Sequence, residues 1–152
     1  MGGSFNFTHQ GASWVGEPTR SLKRVPYPIT VEVAETIVQF QDNETNRGAV
    51  WQLGHERWNY AKLKAVLARP AEWAKKHGVA VACTEFGARR DDILPEHRFT
   101  YLRDFRTACE ANGIPWAMWD YAGGFGIVAS DRSGKRELDE TTVEALGLKI
   151  SR

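Results

Sequence analysis

An α/β fold with a parallel sheet is predicted for this chain, on three observations. Two short apolar runs, Val79-Ala80-Val81-Ala82-Cys83 and Trp116-Ala117-Met118-Trp119, have the length and composition of buried strands. Amphipathic segments with recognisable helix ends alternate with them. Each run closes on a polar or aromatic residue and a glycine loop: Thr84-Glu85-Phe86-Gly87 after the first, Asp120-Tyr121 and then Gly123-Gly124-Phe125-Gly126 after the second. Helices alternating with buried strands build βαβ units. Strands that end in this way point to an active-site face.

The elements follow in order. Residues 1–28 are rich in Gly, Ser, Thr and Pro and read as loop. Residues 30–41 stay ambiguous: Val33, Ala34, Ile37 and Val38 fit helical spacing, but their β-branched content also suits a strand. Residues 42–54 are polar and contain glycine, and read as loop. Residues 56–68 fit an amphipathic helix with Tyr60, Leu63, Val66 and Leu67 on one side. Pro70 suits the first position of a second short helix, which closes on Lys75-Lys76-His77-Gly78. A strand over 79–86 comes next. Pro95 opens another helix, with Phe99, Leu102, Phe105 and Cys109 in a stripe, and Asn112-Gly113 stops it. A strand over 115–121 follows. Asp131-Arg132-Ser133-Gly134-Lys135 reads as a turn. A last helix runs near 139–146, with Asp139 as N-cap and Gly147 as terminator.

Composition narrows the function classes. A chain of 152 residues that is 42% hydrophobic has the size and core of one domain. A formal charge of +1 gives no electrostatic case for nucleic acid or an anionic membrane. The short basic clusters, Arg20 with Lys23 and Arg24, and Arg89-Arg90, read as solvated surface. No run approaches the ~20 apolar residues that span a bilayer. Met1-Gly2-Gly3-Ser4-Phe5 lacks the pattern of a signal peptide. Cys83 and Cys109 read as two buried small hydrophobes. They make neither a disulfide framework nor a zinc site, and no metal or cofactor is expected. Six tryptophans are many for this length. They either fill a core or line a groove for flat apolar faces such as sugar rings.

Glu85 is the candidate with the most chemistry. A carboxylate at the end of a buried run is costly unless it is paired or used. It reads equally as a structural acid satisfied by Arg89, Arg90 or a backbone amide. In parallel α/β folds ligands bind at the carboxyl ends of the strands, where Glu85 stands. Strand alternation places Val81, Cys83 and Glu85 on one face and Ala80, Ala82 and Thr84 on the other. Trp119 holds the matching place on the next strand and can stack on a pyranose. Trp58, Trp73 and Trp116 read as core.

The segments Phe7-Thr8-His9-Gln10-Gly11-Ala12-Ser13-Trp14, Thr84-Glu85-Phe86-Gly87 and Trp116-Ala117-Met118-Trp119-Asp120, in this order, resemble glycoside hydrolase family 5, and its cellulase (endo-β-1,4-glucanase) members most. The resemblance covers nearly the whole chain. It implies a (β/α)₈ TIM barrel that hydrolyses β-glycosidic bonds with retention, acting on a β-glucan or related oligosaccharide. It implies that Glu85 is the nucleophile on strand seven and that Trp119, ending strand eight, is a sugar platform. It implies that His9 and Trp14, on the loop after strand six, line the cleft. Members of the family are mostly secreted or periplasmic.

A retaining glycosidase needs two carboxyl groups about 5–5.5 Å apart. In the family the second is the Glu of an N-E-P motif, and this chain contains none. Asn43-Glu44-Thr45 and Gly16-Glu17-Pro18 come nearest, but neither follows a buried strand. A barrel takes ~250 residues, rarely fewer than about 200. Residues 1–152 are therefore expected to be the C-terminal part of a barrel, its last two βα units with the preceding loop and helices. Met1-Gly2-Gly3-Ser4 would stand where strand six ends. Such a piece has two open sheet edges and an uncovered face. Poor stability alone, self-association through those edges, or pairing with a missing N-terminal half follows. Three functions compete: a glucanase whose other half comes from elsewhere, a saccharide-binding remnant without catalysis, and an inactive truncated product. For the isolated chain the last is expected over catalysis, because one carboxylate cannot serve both roles.

Overall fold

The structure, a computed structural model, describes residues 2–131 and 133–150. Met1, at the head of the segment expected to end strand six, and Arg132, in the expected turn, lie outside the described residues. Two compact units are present, Met1–Asn59 with Ala88–Arg98 and Tyr60–Gly87 with Phe99–Arg152.

The first unit is helical where loop was expected. Helix α1 spans Gly2–Thr8, α2 Val31–Val38 and α3 Glu44–Glu56. Packing overrides composition in α1: Phe7 is buried and its ring meets that of Tyr27 at 5.5 Å. A helix, not a strand end, therefore occupies residues 2–8. The ambiguity at 30–41 resolves to helix, started by Thr30, whose side chain accepts from the Val33 amide. Residues 42–54 are corrected from loop to helix. Asn43 caps α3 by accepting from the Asn46 amide, and Asn46, Ala49, Val50, Leu53 and Gly54 form one buried stripe. The glycines hid this pattern. Gly54 belongs to the packing, because a Cβ there would lie 2.4 Å from the Ala34 methyl of α2.

Buried Gln10 binds this unit together. Its Nε2 donates to the carbonyls of Phe7 and Val25, 3.1 Å each, and its Oε1 accepts from the Val25 amide at 2.7 Å. Across 88–98, the Arg24 amide donates to the Asp92 carbonyl, and Arg98 Nε donates to the Ala88 carbonyl at 2.8 Å.

In the second unit α4 runs unbroken over Tyr60–His77 with Pro70 inside it, where two helices were expected. Proline removes one backbone donor, yet Leu63, Leu67 and Ala74 keep a continuous buried stripe through it. The strands are shorter than expected: β1 spans Cys83–Phe86 and β2 Trp116–Met118. Residues 79–82 find no partner strand, and Val79 is exposed. Between them α5 spans Pro95–Ala111 with proline at its first position, as predicted. Beyond β2 the expected turn at 131–135 closes an antiparallel hairpin that the sequence did not reveal, β3 Val128–Ser130 and β4 Arg136–Leu138. The Asp131 carboxylate accepts from the Ser133 and Lys135 amides there. Helix α6, Glu140–Ala145, has Asp139 as its N-cap, as predicted. Gly78 and Gly147 both end helices in the left-handed conformation.

The tryptophans divide. Trp58 is buried, as expected of a core residue, and Trp116 is half-buried. Trp73 is 57% exposed and lies against the His77 ring, which corrects its reading as core. Its position on α4 falls outside the buried stripe.

Strands β1 and β2 pair in parallel, as predicted, but their register is irregular. Cys83 faces Trp116 and Phe86 faces Met118, so three steps along β1 match two along β2. This is a bulge. Phe86 stacks on Phe105 of α5 at 4.7 Å and so faces that helix. Cys109 is buried, as expected, and Cys83 is half-buried. Thr84 and Glu85 are both exposed. The sheet consists of these two strands alone, so each has an unpaired outer edge among the described residues.

Candidate functional site

In the second unit Glu85 is exposed on β1. Alternation sets it opposite Phe86, which packs on α5. No side chain among the described residues hydrogen-bonds or ion-pairs with its carboxylate, so the reading of Glu85 as a satisfied structural acid loses its partner. Arg89 is engaged elsewhere: its guanidinium meets Asp91 at 2.7 Å and Asp92 at 2.9 Å.

Trp119 follows β2 directly and is 54% exposed. Its amide donates to the Phe86 carbonyl at 2.8 Å, which extends the ladder past the last paired residue. The peptide between Trp119 and Asp120 is cis. The structure thus places Glu85 and Trp119 on neighbouring strands of one sheet. Gly87 makes this approach possible. A Cβ on Gly87 would fall 2.4 Å from the Trp119 carbonyl oxygen and 3.1 Å from Phe125. The glycine of the first motif is therefore fitted to the backbone of the second.

Asp120 follows Trp119 in the chain. Its Oδ1 is buried without a hydrogen-bond partner among the described residues. Leaving such an acceptor unpaired costs about 1–3 kcal/mol.

The first unit carries the other candidates. His9 follows α1, its ring stacked on Phe5 at 4.1 Å and its Nδ1 2.8 Å from the Thr8 hydroxyl. Burial holds its pKa below the ordinary 6.5. Trp14 is 65% exposed, and the Arg89 guanidinium lies 5.4 Å from its ring centroid. Arg89 is thus more than solvated surface: two aspartates hold it against the indole. Sequence reading missed this role, although the run Arg89-Arg90-Asp91-Asp92 carries alternate charges in reach of each other.

The depressed pKa of His9 gives a signed expectation. Above pH 6.5 the ring is neutral in both folded and unfolded chains. Below it the unfolded chain binds the proton first, so stability falls with pH until the folded pKa is passed. Melting temperature should therefore decline as the pH falls below about 6.5, and His9→Gln should flatten that slope. An unchanged slope in the variant would remove His9 as its source.

The two acidic near-matches have ordinary structural roles. Asn43-Glu44 caps and opens α3. The Glu17 carboxylate accepts from the Ser21 hydroxyl. Neither ends a strand.

No family profile matches the chain. It is 29% identical to Endoglucanase 3 of Fibrobacter succinogenes over 132 residues, which cover 84% of this chain and 20% of that protein. It superposes on a hyperthermophilic endo-β-1,4-glucanase solved with substrate, with a TM-score of 0.52, 29% identity, and coverage of 94% of this chain and 36% of the other. It superposes on Cel5A of Thermotoga maritima, solved with cellobiose and with mannotriose, with a TM-score of 0.55, 23% identity, and coverage of 93% and 36%. The chain thus spans a fifth to about a third of these proteins' lengths, and its fold corresponds to part of a TIM-barrel cellulase.

Proposed function

We propose that residues 1–152 are the C-terminal part of a family 5 glycoside hydrolase of endo-β-1,4-glucanase type, with β1 and β2 as the seventh and eighth barrel strands. The observation that carries this reading is the pairing of an exposed, unpartnered carboxylate with an exposed indole on adjacent parallel strands, Glu85 beside Trp119. Glu85 attacks the anomeric carbon of a β-glucan and forms a glycosyl ester. A second carboxyl group, absent from this chain as an N-E-P motif, protonates the leaving oxygen and then activates water. Trp119 stacks on the sugar at the cleavage point. His9 and Trp14 line the cleft, with Arg89 holding the Trp14 ring.

The missing strands come from an N-terminal half that pairs with the open edges of β1 and β2. Covalent labelling tests the assignment. A 2-deoxy-2-fluoro-cellobioside, offered to the chain mixed with an N-terminal half carrying N-E-P, should leave its sugar on Glu85, as read by peptide mass. Labelling of another residue, or none in a complex that cleaves glucan, would sink it.

A second reading, saccharide binding without cleavage, is favoured by the exposure of both Trp14 and Trp119. Cellopentaose should then change the tryptophan fluorescence of the isolated chain. A folded chain whose emission does not respond excludes this reading.

A further inference from the structure

We propose that Asp92 and Arg89 are positioning residues that order the Trp14 ring in advance as a saccharide-stacking surface, with Asp92 the stronger anchor. The proposal rests on the reading of Trp14 as a cleft residue and adds the device that fixes it. All its parts lie in the first unit.

Two segments far apart in sequence are fastened together there. The Arg89 amide donates to the Thr8 carbonyl at 2.9 Å, and the Arg24 amide donates to the Asp92 carbonyl at 3.0 Å. Gly11 is in the left-handed conformation and lies directly against the Asp92 side chain, where a Cβ would overlap the carboxylate. Asp92 thus stands between Gly11, three residues before Trp14, and the Arg89 guanidinium. Arg89 Nη1 donates to Asp92 Oδ2 at 2.9 Å, and Nη2 donates to Asp91 Oδ2 at 2.7 Å. The guanidinium is held at both ends of its fork, with its carbon 5.4 Å from the Trp14 ring centroid.

An exposed indole that stacks on a sugar must give up its rotamer freedom, and that loss weakens binding. Here the cation–π contact removes the freedom during folding. The ring stays 65% exposed, so the guanidinium orders it without covering it. The two aspartates are unequal. The Asp92 side chain is 22% exposed and that of Asp91 55%, against 15% for Arg89. The less exposed pair is less screened by water and salt, which makes Asp92 the main anchor. Lysine could not replace Arg89, because a single ammonium lacks the planar fork that meets two carboxylates and lies on an indole at once.

The test is fluorine NMR of the full chain carrying 5-fluorotryptophan, with Trp14→Phe identifying the Trp14 line. In the unsubstituted chain that line should stand apart from its position in the unfolded chain. Asp92→Asn should move it toward the unfolded position, Arg89→Met should move it further, and Asp91→Asn should move it least. Cellopentaose should shift the Trp14 line, and its Kd should rise roughly three- to tenfold in Arg89→Met, the scale of ordering one large side chain. Arg89→Lys should recover little of that loss. A Trp14 line at the unfolded position in the unsubstituted chain overturns the proposal, whatever the variants' folding. Cellopentaose bound as tightly by folded Arg89→Met as by the unsubstituted chain overturns the positioning role and leaves the cleft reading standing. A Trp14 line that cellopentaose does not move in the unsubstituted chain removes Trp14 as a saccharide contact, and the proposal falls with that reading.

Discussion

Replacing Glu85 with Gln should lower kcat on a cellulosic substrate by about four orders of magnitude or more, once the chain is completed by an N-terminal half carrying the acid/base. Loss of the nucleophile removes the covalent route altogether. Loss of general acid help is typically worth only about 10²–10⁴-fold, so magnitude alone separates the roles weakly. Azide separates them. With Glu85→Gly and an activated aryl cellobioside, azide should occupy the vacated space on the face opposite the leaving group and yield the α-glycosyl azide. A β-glycosyl azide would assign Glu85 to the acid/base role. Turnover within about tenfold of the unsubstituted complex would remove Glu85 from the chemistry.

Gly87→Ala should damage both stability and the sugar platform. The added Cβ falls 2.4 Å from the Trp119 carbonyl oxygen, a backbone atom that cannot rotate away. Overpacking of this kind costs about 1–3 kcal/mol, or a fall of roughly 3–10 °C in melting temperature for a chain of this size. Because the displaced group is Trp119 itself, the fluorescence response to cellopentaose should weaken as well. Gly48→Ala is the control. It lies within α3 with nothing within 4 Å of the added carbon, and alanine should raise helix stability by up to about 1 kcal/mol. Equal effects of the two substitutions would refute the close approach of Gly87 to Trp119.

Much of the second unit was legible because its signals are local. Proline at the start of α5, the stop at Asn112-Gly113, the left-handed cap at Gly78 and the Asp139 cap each act within one turn of chain. The parallel pairing of β1 and β2 was also readable, since only a crossover helix can join such strands. The first unit was misread for the opposite reason. Gly48 and Gly54 made α3 look like loop, yet Gly54 packs directly against Ala34 of α2. A glycine that weakens a helix in isolation is required by helix packing here.

The candidate residues divide along the same line. Their chemical types and their order along the chain, with Glu85 before Gly87 and Trp119 before the glycine loop, were determined by the sequence by itself. So was the absence of an N-E-P motif. The register of β1 against β2 was not. Three steps along β1 match two along β2, and Glu85 lies within that irregular stretch. Only the tertiary structure decided this, because a bulge is a mismatch between two strands and neither strand's sequence contains it. The grip of Arg89 on Trp14 has the same origin. It joins residues far apart along the chain, and only packing brings them within reach.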